Sequence, residues 1–297
     1  MTDSIKGPPG DWARELHQQT MTMGYRIKAR LFSDRSRYQR VEVVESEDFG
    51  RMLFNDGVVM LSERDEFVYH EMIAHVPLFV HPGVERALVI GGGDGGTVRE
   101  LLRHPTVRHC RLVEIDAMVV DACKRYIPQT SSALSDERVE VTIGDGVEFV
   151  ARTEQRYDLV VVDSTDPVGP AKPLFGAEFY GNVARVLAEG GIVVSQAESP
   201  FFDPEQQRSM LQILGKTFRR AHIYNYANIT YPGGLWSFTF AAKGDLCPLG
   251  DLDEARIASS GLGFRYYSPG VHRAAFVLPV FQREGLAEQL TPFRTAD

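Results

Sequence analysis

Five acidic residues stand at or just behind the ends of short apolar runs. Asp94 follows ALVI (87–90), Glu114 lies in RLVEI (111–115), and Asp145 follows VEVTI (139–143). Asp163 closes YDLVVVD (157–163), with Asp166 three positions on. Carboxylates accept hydrogen bonds, attract cations and take up protons. Asp94 sits inside VIGGGDGGT (89–97), whose Gly91, Gly93 and Gly96 fit G-x-G-x-x-G. That pattern ordinarily cradles a pyrophosphate at a helix N-terminus, and a carboxylate inside it repels phosphate. Glu114 stands 21 positions after Gly93, where an acid hydrogen-bonds ribose hydroxyls. Asp145 and the backbone after it are placed to accept from an adenine amino group. Asp94, Asp163 and Asp166 then fall beyond the ribose, and three carboxylates there suit positive charge. The expected ligand is an adenosine carrying a cation. A sulfonium nucleoside fits; a dinucleotide fits poorly. Taken singly, Asp145 or Asp116 also reads as a helix cap or turn residue; four successive strands delivering acids to one rim do not.

The elements that position these acids are a parallel sheet and its helices. Strands are expected at 87–90, 111–115, 139–143, 157–163 and 190–196. Helices are expected after the glycine loop to Arg103, over Met118–Tyr126, from Val147, and over Ala177–Leu187. Short apolar strands separated by helices mean a parallel sheet covered on both faces, with ligands at the carboxyl ends of its strands. Runs near Ala221–Tyr226 and Ser237–Ala241 close one edge in either direction. Before this region the chain reads as antiparallel β: Tyr25–Phe32, Gln39–Ser46, Arg51–Asn55 and Val58–Leu61, the last two joined by the hairpin signal Asn55-Asp56-Gly57. Helical periodicity runs from near Asp65 to about Leu78, and His81-Pro82-Gly83 punctuates it. The fold class is α/β: a doubly wound sheet with a small N-terminal antiparallel β domain, divided as 1–80 and 81–297.

The chain has 297 residues, 43% of them hydrophobic, and a formal net charge of −8. The length suffices for a large core. The charge argues against nucleic acid and agrees with a cationic ligand. No apolar run is long enough for a membrane span. The polar start MTDSIKGPPGDW lacks a signal core. Cys110, Cys123 and Cys247 form no metal spacing and no disulfide framework, as suits a reducing cytoplasm.

Ten segments carry a resemblance: SRYQ (36–39), FNDGVVMLSERDEFVYHEM (54–72), HVPLF (75–79), VIGGGDGGTVREL (89–101), VEID (113–116), IGDGVEF (143–149), VDSTDPVGPAKPLF (162–175), FY (179–180), GGIVVSQAES (190–199) and YPGGLWSF (231–238). With them the chain resembles the polyamine aminopropyltransferases, the spermidine synthases most closely, over roughly 25 to 280. The resemblance implies a small N-terminal β domain with a Rossmann-like, methyltransferase-type catalytic domain, assembled as a homodimer or homotetramer. It implies transfer of an aminopropyl group from decarboxylated S-adenosylmethionine to a polyamine amine, with no metal and no cofactor. Gln39, Asp94, Glu114, Asp145, Gly146 and Pro170 would line the nucleoside site. His70, Asp166, Tyr231 and Glu198 would line the acceptor site, and Tyr69 and Asp163 would flank the reacting amine. Residues 163–175 match a gatekeeping loop. Read without the resemblance, His70 is as well a buried helix histidine, Tyr231 a turn aromatic, Trp236 core, and Gln39 a solvent-facing amide.

The chemistry suits these roles. An alkylamine must be neutral to attack carbon, which at pH 7 costs roughly 4–5 kcal/mol from a pKa of ~10.4. Asp163 is the expected proton acceptor, with Tyr69 orienting the amine. Asp94 would attract the ammonium of the decarboxylated donor and repel the α-carboxylate of intact S-adenosylmethionine. The far ammonium of a diamine needs a second anion, Glu198 or Asp166. Putrescine is the expected acceptor; cadaverine, agmatine and spermidine differ only at the pocket's far end, where one methylene is worth only ~1–3 kcal/mol. Putrescine N-methylation by S-adenosylmethionine, binding without turnover, and a dinucleotide oxidoreductase are the other readings, the last least favoured because of Asp94.

Overall fold

Alternating side chains make the first part of the chain a sheet. In β1 (Trp12–His17) Ala13, Glu15 and His17 are buried while Arg14 and Leu16 face out. With β2 (Met21–Arg35), β3 (Arg40–Ser46), β4 (Arg51–Asn55) and β5 (Val58–Ser62) it forms a five-stranded antiparallel meander in sequence order. The computed structural model describes residues 10–165 and 169–293. The hairpin at Asn55-Asp56-Gly57 forms, with Asp56 and Gly57 both at positive φ, as a twist-compatible two-residue turn requires. The sequence reading did not include β1 or the first residues of β2.

From the meander the chain enters α1 (Glu66–Val80), in which every residue but Phe67 is buried. A helix apolar nearly all round belongs inside a core. It packs with Val89, Val161, Ile192, Val194 and Phe238 of the second sheet.

That sheet holds seven strands: β6 (Arg86–Gly91), β7 (His109–Glu114), β8 (Val139–Ile143), β9 (Tyr157–Asp163), β10 (Leu187–Gln196), β11 (Arg220–Ala227) and β12 (Leu235–Ala242). Their spatial order is β11-β12-β10-β9-β6-β7-β8. The five strands from β8 to β10 are parallel, and β12 runs antiparallel to both β10 and β11. Alternate residues of β6, β9 and β10 enter two cores: Val89, Leu159, Val161, Ile192 and Val194 on one face, Leu88, Ile90, Val160, Val162 and Val193 on the other. Burial on both faces accounts for the near-continuous apolar runs. The connecting helices are α2 (Gly96–Leu102), α3 (Ala117–Tyr126), α4 (Pro128–Ser131), α5 (Gly146–Arg152), α6 (Ala177–Val186) and α7 (Pro204–Thr217). Three short helices follow the sheet: α8 (Glu254–Ser259), α9 (Pro269–Ala275) and α10 (Val280–Gly285). No helix among the described residues is long and apolar enough to cross a membrane.

The chain leaves β6 toward β7 and β8, then returns on the other side of β6 as β9. This switch opens a crevice beyond the carboxyl ends of β6 and β9, where Gly91 and Asp163 stand in register.

Candidate active site

The glycine loop allows the ends of β6 and β9 to close together. Gly91 has φ 80°, and a Cβ there would lie 2.1 Å from the carbonyl oxygen of Asp163. Any side chain would force the strand ends apart. The loop then turns through Asp94, whose Oδ1 accepts from the Gly96 amide at 2.8 Å. Gly96 opens α2 and lies against His70: a Cβ would lie 2.1 Å from the ring's Cε1.

Asp163 is held by hydroxyls on both oxygens. Tyr69 donates to Oδ1 and Thr97 to Oδ2, each at 2.6 Å. Burial and the nearby Asp94 raise its pKa above the ordinary carboxylate value, and His70 and the two hydroxyls oppose them. Tyr69 is pushed well above the usual phenol range by burial and by Asp163, so its hydroxyl stays a donor.

His70 lies one residue further along α1. Its Nδ1 is 2.5 Å from Glu66 Oε2 and its Nε2 3.4 Å from Asp94 Oδ1. Burial favours the neutral ring, but Asp94 and Glu66 outweigh it and push His70 up to about 10. Glu66 in turn is paired with Arg99 at 2.8 Å. His70, Asp94 and Asp163 bring polar atoms within 4.8 Å of one another, a convergence suited to a small cation or an ammonium group.

Glu114, Asp145, Gly146 and Gln39 line the same cavity of about 580 Å³ on the β7 side. Glu114 Oε1 accepts from the Asp116 amide at 2.8 Å, and burial lifts its pKa to about 7. Asp145 caps α5 through the Val147 amide at 2.7 Å. It is therefore both the cap that its residue type suggests and part of the cavity wall. Gly146 is packed under β6, where a Cβ would meet Ile90 at 2.4 Å. Gln39 faces inward and donates to Asp116 Oδ2 at 3.1 Å; the solvent-facing reading of this amide does not hold. Asp116 also caps α3 through the Met118 amide.

Tyr231 and Trp236 form the opposite end. The Tyr231 hydroxyl donates to the Met60 carbonyl at 2.7 Å, and its ring packs edge-on against Tyr69 and Trp236. Trp236, read as core, is buried and also lines the cavity. Glu198 is buried behind Gln196, whose amide donates to it at 3.1 Å; Gln196 is the one on the wall. Asp166 lies outside the described residues. The backbone of Pro170 belongs to the 3-10 turn Gly169–Phe175.

Sequence reading missed Thr97, Glu66, Arg99 and Glu15. Glu15 lines the cavity, accepts from the Val59 amide at 2.9 Å and stands 3.5 Å from His17. Its signal was the alternation in WARELH, which puts Glu15 on the inward face of β1. Thr97 carried none beyond its place behind the glycine loop.

The chain is similar to known proteins over most of its length. The family description "Spermine/spermidine synthase domain" matches residues 66–250, and "Spermidine synthase tetramerisation domain" matches residues 11–63. A polyamine aminopropyltransferase of Bacillus mycoides is 45% identical over 271 residues, covering 91% of this chain and 97% of the relative. One from Bacillus subtilis is 44% identical over 91% of this chain and 96% of its own length. A crystal structure of spermidine synthase with the transition-state analogue AdoDATO superposes with a TM-score of 0.92 at 36% identity, covering 96% of this chain and 98% of that one. The spermidine synthase of Thermotoga maritima gives 0.89 at 34% identity, with 96% of each chain covered. A family model over residues 66–250 and a relative 45% identical across 91% of the chain establish that the chain belongs to the spermine/spermidine synthase family of aminopropyltransferases.

Proposed function

We propose that the chain transfers the aminopropyl group of decarboxylated S-adenosylmethionine to putrescine, giving spermidine and S-methyl-5'-thioadenosine. The observation that carries this reading is the convergence of Asp94 and Asp163 on one end of the cavity, with Tyr69 and Thr97 fixing the second carboxylate. Glu114 takes the ribose hydroxyls, and Asp145 with Gly146 takes the adenine edge. Gln39 and Pro170 complete the nucleoside site. The donor's sulfonium and ammonium then lie over Asp94 and His70.

The acceptor enters beside Tyr69 and Tyr231. Asp163 takes a proton from its near ammonium, and the freed nitrogen lone pair attacks the carbon next to sulfur. The carbon–sulfur bond breaks with its electron pair going to sulfur, which leaves as a neutral thioether. A sulfonium is already an activated leaving group, so this route draws on no metal and no cofactor. Exclusion of water and in-line placement supply the remaining acceleration. Glu15, on the cavity wall, joins Asp166 as an anion for the acceptor's far ammonium, while Glu198 stands behind Gln196. Glu15 stands next to His17, which packs edge-on to Trp236. The tetramerisation match over the N-terminal sheet supports assembly of the chain through that sheet.

The test is a product screen. Putrescine, cadaverine, agmatine and spermidine are each incubated with decarboxylated or intact S-adenosylmethionine, and products are identified by mass spectrometry. Spermidine and methylthioadenosine are expected from putrescine and the decarboxylated donor. Preference for another amine would reassign the acceptor; a methylated amine with S-adenosylhomocysteine would overturn the donor. Asp94→Asn is expected to weaken the decarboxylated donor much more than methylthioadenosine, and equal losses would remove Asp94 from donor selection.

A further inference from the structure

A buried histidine stands at the ammonium end of the cavity. His70 lies between two carboxylates, Glu66 at Nδ1 and Asp94 at Nε2. A ring can donate to both sides only when both nitrogens carry protons. Glu66 is itself fixed: Arg99 donates to its two oxygens at 2.9 and 2.8 Å, and Gln129 to Oε1 at 2.8 Å. The absence of a Cβ at Gly96 lets α2 lie directly against the ring.

We propose that His70 is a resident cation in the donor's ammonium site, kept there by the positioning residues Glu66 and Arg99, and that donor binding expels its proton. This rests on the donor assignment above. The groups facing the ring are Glu66 and Tyr69 on α1, Asp94 in the glycine loop, Asp163 at the end of β9, and Arg99 on α2 behind Glu66. With Glu100, which pairs with Arg99 and with Arg103, the four carboxylates exceed the three cations, Arg99, Arg103 and His70, by one charge. The donor brings two positive charges, sulfonium and ammonium, which overfill the buried site by one. Loss of the His70 proton to solvent restores neutrality. The proton that leaves is the one on Nε2, because Glu66 continues to hold Nδ1–H. The imidazole then turns its Nε2 lone pair toward the donor and accepts from the arriving ammonium. Glu66 thereby selects the useful tautomer, as a carboxylate behind a functional histidine does. Intact S-adenosylmethionine carries a compensating carboxylate and gives the ring less reason to lose its proton.

Titration calorimetry of the full chain at pH 8.5, in buffers of different ionisation heat, counts the protons. The pH lies well above Glu114, at about 7, and below His70, at about 10. The decarboxylated donor is expected to release about one proton per molecule bound, and methylthioadenosine, which lacks both charges, close to none. His70→Gln is expected to bind the donor with almost no release. Glu66→Gln is expected to lower the count at pH 8.5 and restore it at a lower pH. Equal release from the wild-type chain and His70→Gln would assign the proton to a carboxyl group and overturn the proposal. Donor binding with no release would overturn it while leaving the donor assignment intact. Absence of donor binding would overturn both.

Discussion

Asp163 carries two short hydroxyl bonds, and they differ in what they can be asked to do. Tyr69 also packs against Tyr226, Tyr231 and Phe238, so its removal disturbs the cavity wall. Thr97 is fully buried and reaches Asp163 with its hydroxyl alone. A hydrogen bond to the charged form lowers a carboxylate's pKa. Thr97→Val is therefore expected to raise Asp163, move the acid limb of the rate–pH profile upward and lower kcat by roughly tenfold, as loss of one such bond at about 1.4 kcal/mol allows. Thr97→Ser should recover the profile; an unchanged profile in Thr97→Val would remove this role. Asp163→Asn is expected to lower turnover by about 10²–10⁴-fold with donor binding retained, measured by steady-state rate and calorimetry. The two aspartates were legible in the sequence because carboxylates at the ends of successive strands form a pattern. Thr97 and Glu66 were not: a hydroxyl and an acid acting through another side chain acquire meaning only when the partner is seen beside them.

Among the elements, the glycine loop was legible in chemistry but not in its packing. G-x-G-x-x-G announced a close approach. The partners, the Asp163 carbonyl at Gly91 and the His70 ring at Gly96, come from segments distant in sequence. Gly91→Ala is expected to destabilise the chain by on the order of 3 kcal/mol or more, combining left-handed backbone with a backbone clash, read as a lower urea midpoint. Gly96→Ala has no positive φ to violate, but its methyl must displace His70. It should weaken donor binding more than it weakens the fold. The parallel strands were legible because burial on both faces makes them apolar throughout. β1 was not, since WARELH is half polar and finds its place only by pairing with β2. The C-terminal helices α8, α9 and α10 are six or seven residues each, too short to leave a clear period.

Across the whole molecule, buried histidines set opposite limits on the pH range of stability. Burial lowers His222 and His272 to about 4 and His104 to about 3. The unfolded chain binds protons there near 6.5 while the fold resists them, so stability falls as the pH drops from about 6.5 toward 4. His70 has the opposite sign. Raised to about 10, it contributes fully below 6.5, and that contribution is lost as the pH rises through 10. Urea midpoints across pH 4–10 are expected to peak near neutrality. His70→Gln should flatten the alkaline side, and an unaltered alkaline slope would show that another group titrates there. His222→Phe should flatten part of the acid side. The two-sheet architecture was legible from the change in strand spacing near residue 85; the burial that makes these histidines limits was not, because a histidine looks the same in sequence whichever side of the surface it occupies.

The segment joining the two sheets has a consequence for how such chains can be recombined. Tyr69 and His70 sit on α1, and their partners Asp163, Asp94 and Arg99 come later in the chain. Just ahead of α1, Asp65 is bonded to Ser62 and to the backbone and hydroxyl of Thr230, while Tyr231 reaches back to Met60. A chimera spliced after the helix, between residues 80 and 81, would draw the halves of the ammonium site from different parents. A splice before it, near residue 63, would part Ser62 from Asp65 and Tyr231 from Met60. Neither junction is silent. For an engineer exchanging acceptor specificity between relatives, the smallest transferable unit is therefore discontinuous: β1, β5 with α1, the glycine loop, the end of β9, and the turn at 228–236, moved together.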